Sequence, residues 1–256
     1  MEDLHTLTLV FLIFAGFLAG FIDAVVGGGG LISTPALLFT GLPPNIALGT
    51  NKLAGTMGAL TSTLTFIRSK KVDFHLIGRL FPLTLIGSFI GVMVVHIISP
   101  EILKPLILIL LALVTIYTIF KKDWGTISKY KGFTLSRAIL FGLIIFTLGF
   151  YDGFLGGGTG SFLLFSFLAV GFDFLHAAGN AKILNFCSNI MALITFICLG
   201  SVNFQYGIPM AISMIIGSWI GANVAIRKGS SYVKLIFIVV TILLIGKNLF
   251  SYLPLH

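Results

Sequence analysis

Charged side chains are scarce in this chain. They make up 9% of its 256 residues, whereas a soluble domain carries roughly 25%. Hydrophobic residues make up 57%. Several runs of at least about 18 residues contain no Asp, Glu, Lys or Arg, which is enough to cross the hydrocarbon core of a bilayer. The composition excludes an ordinary soluble domain and predicts an all-α polytopic membrane protein whose outer surface is covered by lipid.

Cysteine is also rare, and the sequence has no motif for a bound metal or nucleotide. The two cysteines, Cys187 and Cys198, lie in one apolar run, where we interpret them as small core residues rather than as a disulfide. The sequence has no zinc-ligand cluster and no Gly-x-x-x-x-Gly-Lys-Ser/Thr loop. We therefore expect no cofactor and no use of ATP by this chain.

Acidic residues are outnumbered by basic ones, 8 against 16, which gives a net charge of +8. The basic residues form short clusters between apolar runs, as the positive-inside rule expects of cytoplasmic loops. The expected partners are the lipid bilayer and a small anionic substrate, with no nucleic acid, and the sequence is compatible with a homo-oligomer. The apolar run at 7–26 follows an acidic start and is long enough to span, so we interpret it as a retained helix rather than a signal peptide.

An internal repeat divides the chain into two homologous halves. Gly-Phe-Ile-Asp-Ala-Val-Val-Gly-Gly-Gly-Gly at 20–30 matches Gly-Phe-Tyr-Asp-Gly-Phe-Leu-Gly-Gly-Gly-Thr at 149–159, an offset of 129. Three further pairs of segments match at an offset of 130: 47–52 with 177–182, 65–67 with 195–197, and 87–91 with 217–221. We predict a single transmembrane domain over 1–256, with repeat 1 at 7–120, a charged linker at 121–134 and repeat 2 at 135–252.

Each half has the same predicted order of helices. A long helix ends near an Asp, a glycine-rich break and a short apolar helix follow, and three more long helices complete the half. The predicted segments are 7–26, 31–41, a helix from 47, 76–97 and 102–120 in the first half, and 135–151, 160–171, a helix from 177, 206–226 and 232–249 in the second. The predicted fold therefore has eight long transmembrane helices plus two short helices that follow glycine breaks.

The loop charges separate two topologies, which differ in whether the short helices cross the membrane. Of the 16 Lys and Arg, Lys52 and Lys182 lie inside apolar runs, which leaves 14 in loops. If the short helices dip in and return, 10 of the 14 lie on one side and 4 on the other; if each completes a crossing, the division is 12 to 2. The second topology obeys the positive-inside rule better. It makes the halves an inverted repeat and leaves both chain ends outside the cytoplasm.

The glycine breaks predict a polar cavity inside the membrane. Broken backbone at membrane depth is tolerated only where protein or a water-filled cavity satisfies its N–H and C=O groups. A short helix that begins after the break would direct its free N–H groups and positive dipole end into that cavity, where an anion would bind. The residues assigned to this site are Gly28, Gly29, Gly30, Gly157, Gly158, Thr159 and Ser161. The separate pairs Gly87/Gly91 and Gly217/Gly221 we interpret as helix-packing positions.

Four ionisable residues lie within the apolar runs and match between the halves: Asp23 with Asp152, and Lys52 with Lys182. Ionisable residues are expensive in a bilayer, so function is the first hypothesis. Each lysine, about one and a half turns into its helix, is predicted to bind an anionic substrate or the Asp of its own half. Snorkelling to the interface or a structural Asp–Lys pair is the alternative. The two Asp residues are candidates for binding a coupling ion, a proton.

Amide side chains close to the lysines in sequence are candidates for orienting a ligand. Asn51, Asn180 and Asn185 are assigned to the substrate site, and Asn189 follows one turn after the last of them. Since Asn51 is matched by Ala181, we do not expect the two halves to contribute identical ligands.

Two matched copies of Gly-Gly-Gly before a short apolar helix, each followed by Ala-x-Gly-x-x-Lys, resemble the TauE/SafE family over nearly the whole chain. Members of that family are associated with the movement of sulfite, organosulfonates and related sulfur-containing anions. The resemblance implies transport of small anions across the bacterial cytoplasmic (inner) membrane. Since the sequence has no nucleotide-binding loop, we expect a secondary transporter driven by a proton or ion gradient, and an inverted repeat is a common basis for alternating access.

Two other functional classes are alternatives. An anion channel would give ohmic current, whereas a carrier gives saturable flux that responds to a gradient. An intramembrane aspartyl protease would pair a Tyr-Asp with a Gly-x-Gly-Asp. Tyr151 and Asp152 supply the first motif, but the second is absent, because Asp23 precedes its glycines. We therefore expect no enzymatic activity.

Overall fold

The computed structural model describes residues 2–103, 105–107, 109, 113, 130 and 132–252, and for residues 2–5 and 230–252 it describes the backbone alone. Within these residues the regular secondary structure is entirely helical. The helices are α1 (Glu2–Val26), α2 (Gly30–Phe39), α3 (Pro44–Arg68), α4 (Phe74–His96), α5 (Leu135–Phe154), α6 (Thr159–Ala169), α7 (Phe174–Cys198) and α8 (Phe204–Tyr252). The predicted helix 102–120 and the linker 121–134 lie largely outside the described residues.

Five of these helices contain a segment long and apolar enough to cross a membrane. The segments are Thr6–Val26, Phe74–His96, Leu135–Phe154, Phe174–Cys198 and Phe204–Gly229. Helices α2 and α6 are the two predicted short helices, with 10 and 11 residues. Helix α3 has 25 residues but is not among the five, because polar residues such as Lys52, Thr56 and Ser62 dilute its apolar ones. The chain is therefore a multi-pass membrane protein, with five span candidates in its described part where the sequence predicted eight long helices.

Helices α3 and α7 begin three residues before the predicted positions, 47 and 177. Pro44 is the first residue of α3, where its missing N–H forfeits no helical hydrogen bond. Asp173 caps α7, because its carboxylate accepts hydrogen bonds from the N–H groups of Leu175 and His176 at 3.1 and 3.2 Å. The lysines of these helices therefore lie roughly two turns from the helix start, deeper than predicted.

Helix α8 combines the two helices predicted at 206–226 and 232–249. Gly229 interrupts it, with a φ of 72° and a ψ of −169° that no α-helix contains. The predicted boundary is therefore one residue with left-handed φ rather than a loop, and glycine adopts that conformation without a steric penalty.

Glycines let α8 pack closely on α1, and α4 pack closely on α5. A methyl group at Gly217 would overlap the carbonyl oxygen of Phe17, and one at Gly87 would overlap that of Phe146. Two more glycines make the same kind of contact one turn further along, Gly91 and Gly221. The interpretation of these four glycines as helix-packing positions is confirmed.

Helices α3 and α7 pack against each other at the centre, and each is tied to the opposite half near its start. The Thr50 hydroxyl oxygen accepts a hydrogen bond from the N–H of Asn203 at 2.9 Å, and Asn180 Oδ1 accepts one from the N–H of Asp73 at 2.8 Å. Thr50 and Asn180 are matched by the repeat, as are Asp73 and Asn203. The two halves therefore make equivalent hydrogen bonds to each other at matched positions.

Candidate functional site

The two glycine breaks pack directly against each other. Gly27 has a φ of 79°, and a methyl group added there would overlap the backbone of Gly160. A methyl group at Gly30 would lie 3.0 Å from the Cα atom of Gly157. Backbones approach this closely only where no Cβ intervenes, so contact between the halves explains why both breaks consist of glycine.

The hydroxyl groups assigned to the site bind backbone oxygens of the breaks. Ser161 Oγ donates a hydrogen bond to the carbonyl oxygen of Val26 at 3.0 Å, which joins the second half to the first. Thr159 Oγ1 donates to the carbonyl oxygen of Gly156 at 3.2 Å. These two side chains therefore satisfy backbone groups that the breaks would leave unpaired in a membrane.

The first turn of α2 uses several of its N–H donors within the protein. The N–H of Leu31 donates to Gly28 O at 2.9 Å, and that of Ile32 to Gly29 O at 3.0 Å. The N–H of Gly29 donates to Asp23 Oδ1 at 3.3 Å. The prediction that free N–H groups face a cavity is therefore wrong for these donors. The break closes into a tight turn, and the Asp23 carboxylate takes the position at the helix N-terminus that favours an anion.

Each site lysine pairs with the aspartate of the opposite half. Lys52 Nζ lies 3.0 Å from Asp152 Oδ1, and Lys182 Nζ lies 3.1 Å from Asp23 Oδ2. The prediction of pairing within one half is wrong, because each lysine side chain extends towards the break of the other half: a methyl group at Gly156 would lie 2.7 Å from Lys52 Nζ. The two pairs occupy matched positions of the repeat, because Lys52 matches Lys182 and Asp152 matches Asp23.

Both ion pairs are buried in the protein. The side chains of Lys52 and Lys182 are 2% and 4% exposed, which excludes snorkelling to the interface. Removal of one partner would leave an uncompensated charge in a medium of low dielectric constant. Each lysine is therefore held in a buried ion pair with the aspartate of the opposite half.

Asn189 joins the Lys52–Asp152 pair into a hydrogen-bonded network. Its Nδ2 donates to Asp152 Oδ2 and to Asn185 Oδ1, both at 3.1 Å. Its Oδ1 accepts from Lys52 Nζ at 3.3 Å. Asn189 was not among the predicted site residues, although the sequence contains a usable signal. Positions 182, 185 and 189 are spaced by three and four residues, which places them on one face of α7.

A small polar cavity lies beside the ion pairs. Its volume is about 20 Å³, room for about one water molecule. Four of the assigned residues line it, together with Ser33 and Asn189: Asp23, Gly30, Asn51 and Asn185. The other assigned residues near it form the breaks or the ion pairs: Gly28, Gly29, Gly157, Gly158, Thr159, Ser161, Lys52, Lys182 and Asp152. A polyatomic ligand is larger than one water molecule, so the cavity would have to widen to admit one.

Two asparagines line this cavity, and the side-chain oxygen of each accepts a hydrogen bond. Asn51 Oδ1 accepts a hydrogen bond from Ser33 Oγ at 2.5 Å, and Asn185 Oδ1 accepts one from Asn189. Besides that oxygen, each amide carries two N–H donors, the groups through which it would bind an anion. Asn51 and Asn185 are each 5% exposed, so both side chains lie in the interior of the protein.

Asn180 does not line the cavity. Its side-chain oxygen accepts the hydrogen bond from Asp73 at the start of α4, and its Nδ2 atom is buried with no hydrogen-bond partner among the described residues. Sequence proximity to Lys182 was a poor guide, because residues two apart on a helix face different directions.

Comparison with known proteins gives matches along nearly the whole chain. The family profile described as "Sulfite exporter TauE/SafE" matches residues 12–248. "Probable membrane transporter protein" of Haemophilus influenzae is 35% identical over 95% of this chain and 95% of its own length. "Probable membrane transporter protein ORF9" of Sinorhizobium sp is 36% identical over 95% and 93%, and "Probable membrane transporter protein YfcA" of Escherichia coli is 33% identical over 98% and 95%. No solved structure matches this chain.

Proposed function

This chain belongs to the sulfite exporter TauE/SafE family of membrane transporters, and from that membership we propose that it is a secondary transporter of small anions that works by alternating access across the bacterial cytoplasmic membrane. The substrate class proposed is sulfur-containing oxyanions or organosulfonates, after the description of the family. The observation that carries the proposal is the two Lys–Asp pairs that cross between the halves beside a buried polar cavity.

The reciprocal contacts support a twofold relation between the halves, since exchange of the halves converts the Lys52–Asp152 pair into the Lys182–Asp23 pair. The loop charges favour an axis in the membrane plane, which makes the halves an inverted repeat. In such a transporter each half can adopt the conformation of the other, so one movement closes the site on one side and opens it on the other. We propose that α2 and α6 complete a crossing in each half, which is the topology that the loop charges favour.

The proposed substrate ligands combine amide and ammonium donors. Asn51 and Asn185 line the cavity, and so does Asp23, which holds Lys182 in an ion pair. Sulfur oxyanions present several acceptor oxygens, which suit a set of N–H donors arriving from different helices. Charge-assisted bonds to an ammonium group add affinity that uncharged solutes do not gain.

The geometry favours a carrier over an anion channel. The cavity holds only about 20 Å³, and the breaks of the two halves touch at Gly27 and Gly160. A channel needs a continuous polar path, whereas a carrier needs a closed site that opens by movement of its two halves.

The test is flux in proteoliposomes that contain the purified protein. Labelled sulfite, thiosulfate, sulfate and a small organosulfonate are offered separately to the wild type and to Lys182→Ala. Arg79→Ala is the matched control, because it removes an exposed cation from α4. The proposal expects saturable flux of at least one anion, lost in Lys182→Ala and kept in Arg79→Ala. Ohmic current would replace the carrier by a channel, and no flux of any of the four would contradict the substrate class.

A further inference from the structure

The two ion pairs are matched by the repeat, but their surroundings differ. The carboxylate of Asp152 is 1% exposed, and both of its oxygens are bound, one by Lys52 and one by Asn189. The carboxylate of Asp23 is 14% exposed and lines the cavity. Asn189 has no counterpart in the first half, where Ala59 stands at the matched position. One aspartate is therefore fixed in a closed network, and the other faces the space that a substrate would enter.

An anion that enters this cavity meets an unfavourable charge. The two lysines and two aspartates sum to zero, and the charged residue on the cavity wall is the carboxylate of Asp23. Two negative groups that share a buried site cannot both stay ionised without a large penalty, and a proton on one of them relieves it.

The Asp23 carboxylate already occupies the donors that an oxyanion would use. Its Oδ2 lies 3.1 Å from Lys182 Nζ, and its Oδ1 accepts the N–H of Gly29 at the start of α2. Lys182 Nζ also donates to the backbone carbonyl oxygen of Asp23. A substrate oxyanion in the same place would therefore compete with Asp23 for the ammonium group and for the helix N-terminus.

We propose that Asp23, and not Asp152, takes up one proton each time an anion binds, so that anion and proton cross the membrane together. This inference rests on the proposed function of anion transport. The oxyanion replaces the Asp23 carboxylate beside Lys182, and a proton from solvent neutralises Asp23 Oδ2. Binding therefore adds one positive charge, from the proton, and the negative charge of the anion to the Lys182–Asp23 pair. For a monovalent anion the loaded and empty sites are both neutral.

Few titratable groups face Asp23. Lys182 on α7 is its direct partner, and Lys52 on α3 lies within electrostatic reach. The neighbours that α2 and α6 place against Asp23, Gly29 and Gly160, do not titrate, and α8 contributes Met214 to the same cavity. Within the described residues, the charge that an incoming anion displaces is thus the one on Asp23.

The experiment compares pH-driven accumulation in the wild type, Asp23→Asn and Asp152→Asn. The probe is a labelled small organosulfonate, with thiosulfate and sulfate in parallel, because none of these binds a proton itself near neutral pH. A monovalent sulfonate carried with one proton should accumulate roughly tenfold on the alkaline side for each unit of pH gradient. The Asp23→Asn variant should transport the sulfonate only down the concentration gradient of the sulfonate itself. The ratio of its concentrations on the two sides should then settle at one. Asp152→Asn should yield less folded protein, and the protein recovered should still accumulate the anion.

Proton movement is measured in parallel with a pH-sensitive dye inside the vesicles. Proton entry that accompanies anion entry in the wild type, and disappears in Asp23→Asn, supports the proposal. Accumulation by Asp23→Asn, or loss of coupling in Asp152→Asn alone, would overturn it. Saturable anion flux without proton entry in the wild type would overturn it too, while leaving the transport function intact.

Infrared difference spectroscopy tests the protonation step without transport. Adding the sulfonate to purified protein at constant pH should produce the band of a protonated carboxyl group. The band should be absent in Asp23→Asn and present in Asp152→Asn. No band in a wild-type protein that binds the anion would refute the coupling step, whereas no binding of any probe would contradict the proposed function on which it rests.

Discussion

Lys52 of the first half and Asp152 of the second form an ion pair of 3.0 Å in which neither side chain is more than 2% exposed. The residues at the matched positions of the repeat, Lys182 and Asp23, form a second ion pair. Because each half contributes the cation of one pair and the anion of the other, neither half can bury its ionisable residues alone. Contact between the two halves is therefore what pairs all four ionisable residues.

The first prediction concerns the Lys52–Asp152 pair. Lys52→Met should lower the free energy of unfolding by about 3 kcal/mol or more, because it leaves the Asp152 carboxylate buried without its cation. The double variant Lys52→Met with Asp152→Leu should recover much of that loss, since it removes both charges. Thermal unfolding in detergent measures both effects. A double variant no more stable than Lys52→Met would show that the pair is not the reason for the loss.

The second prediction concerns the contact between the glycine breaks. Gly27→Ala should abolish transport, because the methyl group would overlap the backbone of Gly160. Gly41→Ala is the matched control: its φ of 83° is close to the 79° of Gly27, but nothing lies within 4 Å of the added methyl group. It should cost about 1–2 kcal/mol in stability and keep transport. Equal loss of transport in both variants would attribute the effect to backbone conformation and not to the contact.

The third prediction concerns helix packing between α4 and α5. Gly91→Ala should destabilise the protein by about 1–3 kcal/mol, because the methyl group would overlap the carbonyl oxygen of Phe150. Gly78→Ala, in the same helix with nothing within 4 Å, should be neutral or slightly stabilising, since alanine favours a helix. Unfolding temperatures in detergent compare the two, and a Gly91→Ala variant as stable as Gly78→Ala would refute the close packing.

The composition and the repeated motifs were sufficient to predict the helical class, the internal repeat and which ionisable residues lie inside the apolar runs. The offset of 129 pairs Asp23 with Asp152, and burial of both could be inferred from the apolar runs around them. The partner of each residue could not be inferred, because the sequence order places Lys52 nearer to Asp23 than to Asp152. The cross-half pairing results from tertiary packing, in which each lysine reaches the break of the opposite half.

The amide side chains near the lysines do not all lie in one place. Asn51 and Asn185 line the cavity, whereas Asn180 binds the backbone N–H of Asp73. Helix periodicity would have preferred Asn189, which shares a face with Lys182 and Asn185, over Asn180. The first-turn N–H groups of α2 were misjudged because a sequence does not reveal that Asp23 itself will occupy the helix N-terminus.

The fourth prediction concerns topology. If α2 and α6 each complete a crossing, both chain ends face away from the cytoplasm. A tag at either terminus should then be accessible to an impermeant reagent in cells with a permeable outer membrane. The same tag inserted in the loop at 69–73, which carries Lys70 and Lys71, should be protected until the inner membrane is opened. A protected C-terminus, which eight spans with re-entrant short helices would give, would exclude the inverted arrangement.

The most direct test of the central claim, that Lys182 and the cavity beside its ion pair with Asp23 form the anion site, is equilibrium binding to the purified protein. Isothermal titration in detergent with thiosulfate and with a small organosulfonate compares the wild type, Lys182→Ala and Arg79→Ala. Loss of a charge-assisted contact should weaken binding in Lys182→Ala by about tenfold or more, and Arg79→Ala should match the wild type. Unchanged affinity in Lys182→Ala, for an anion that the wild type binds, would place the anion elsewhere and contradict the claim.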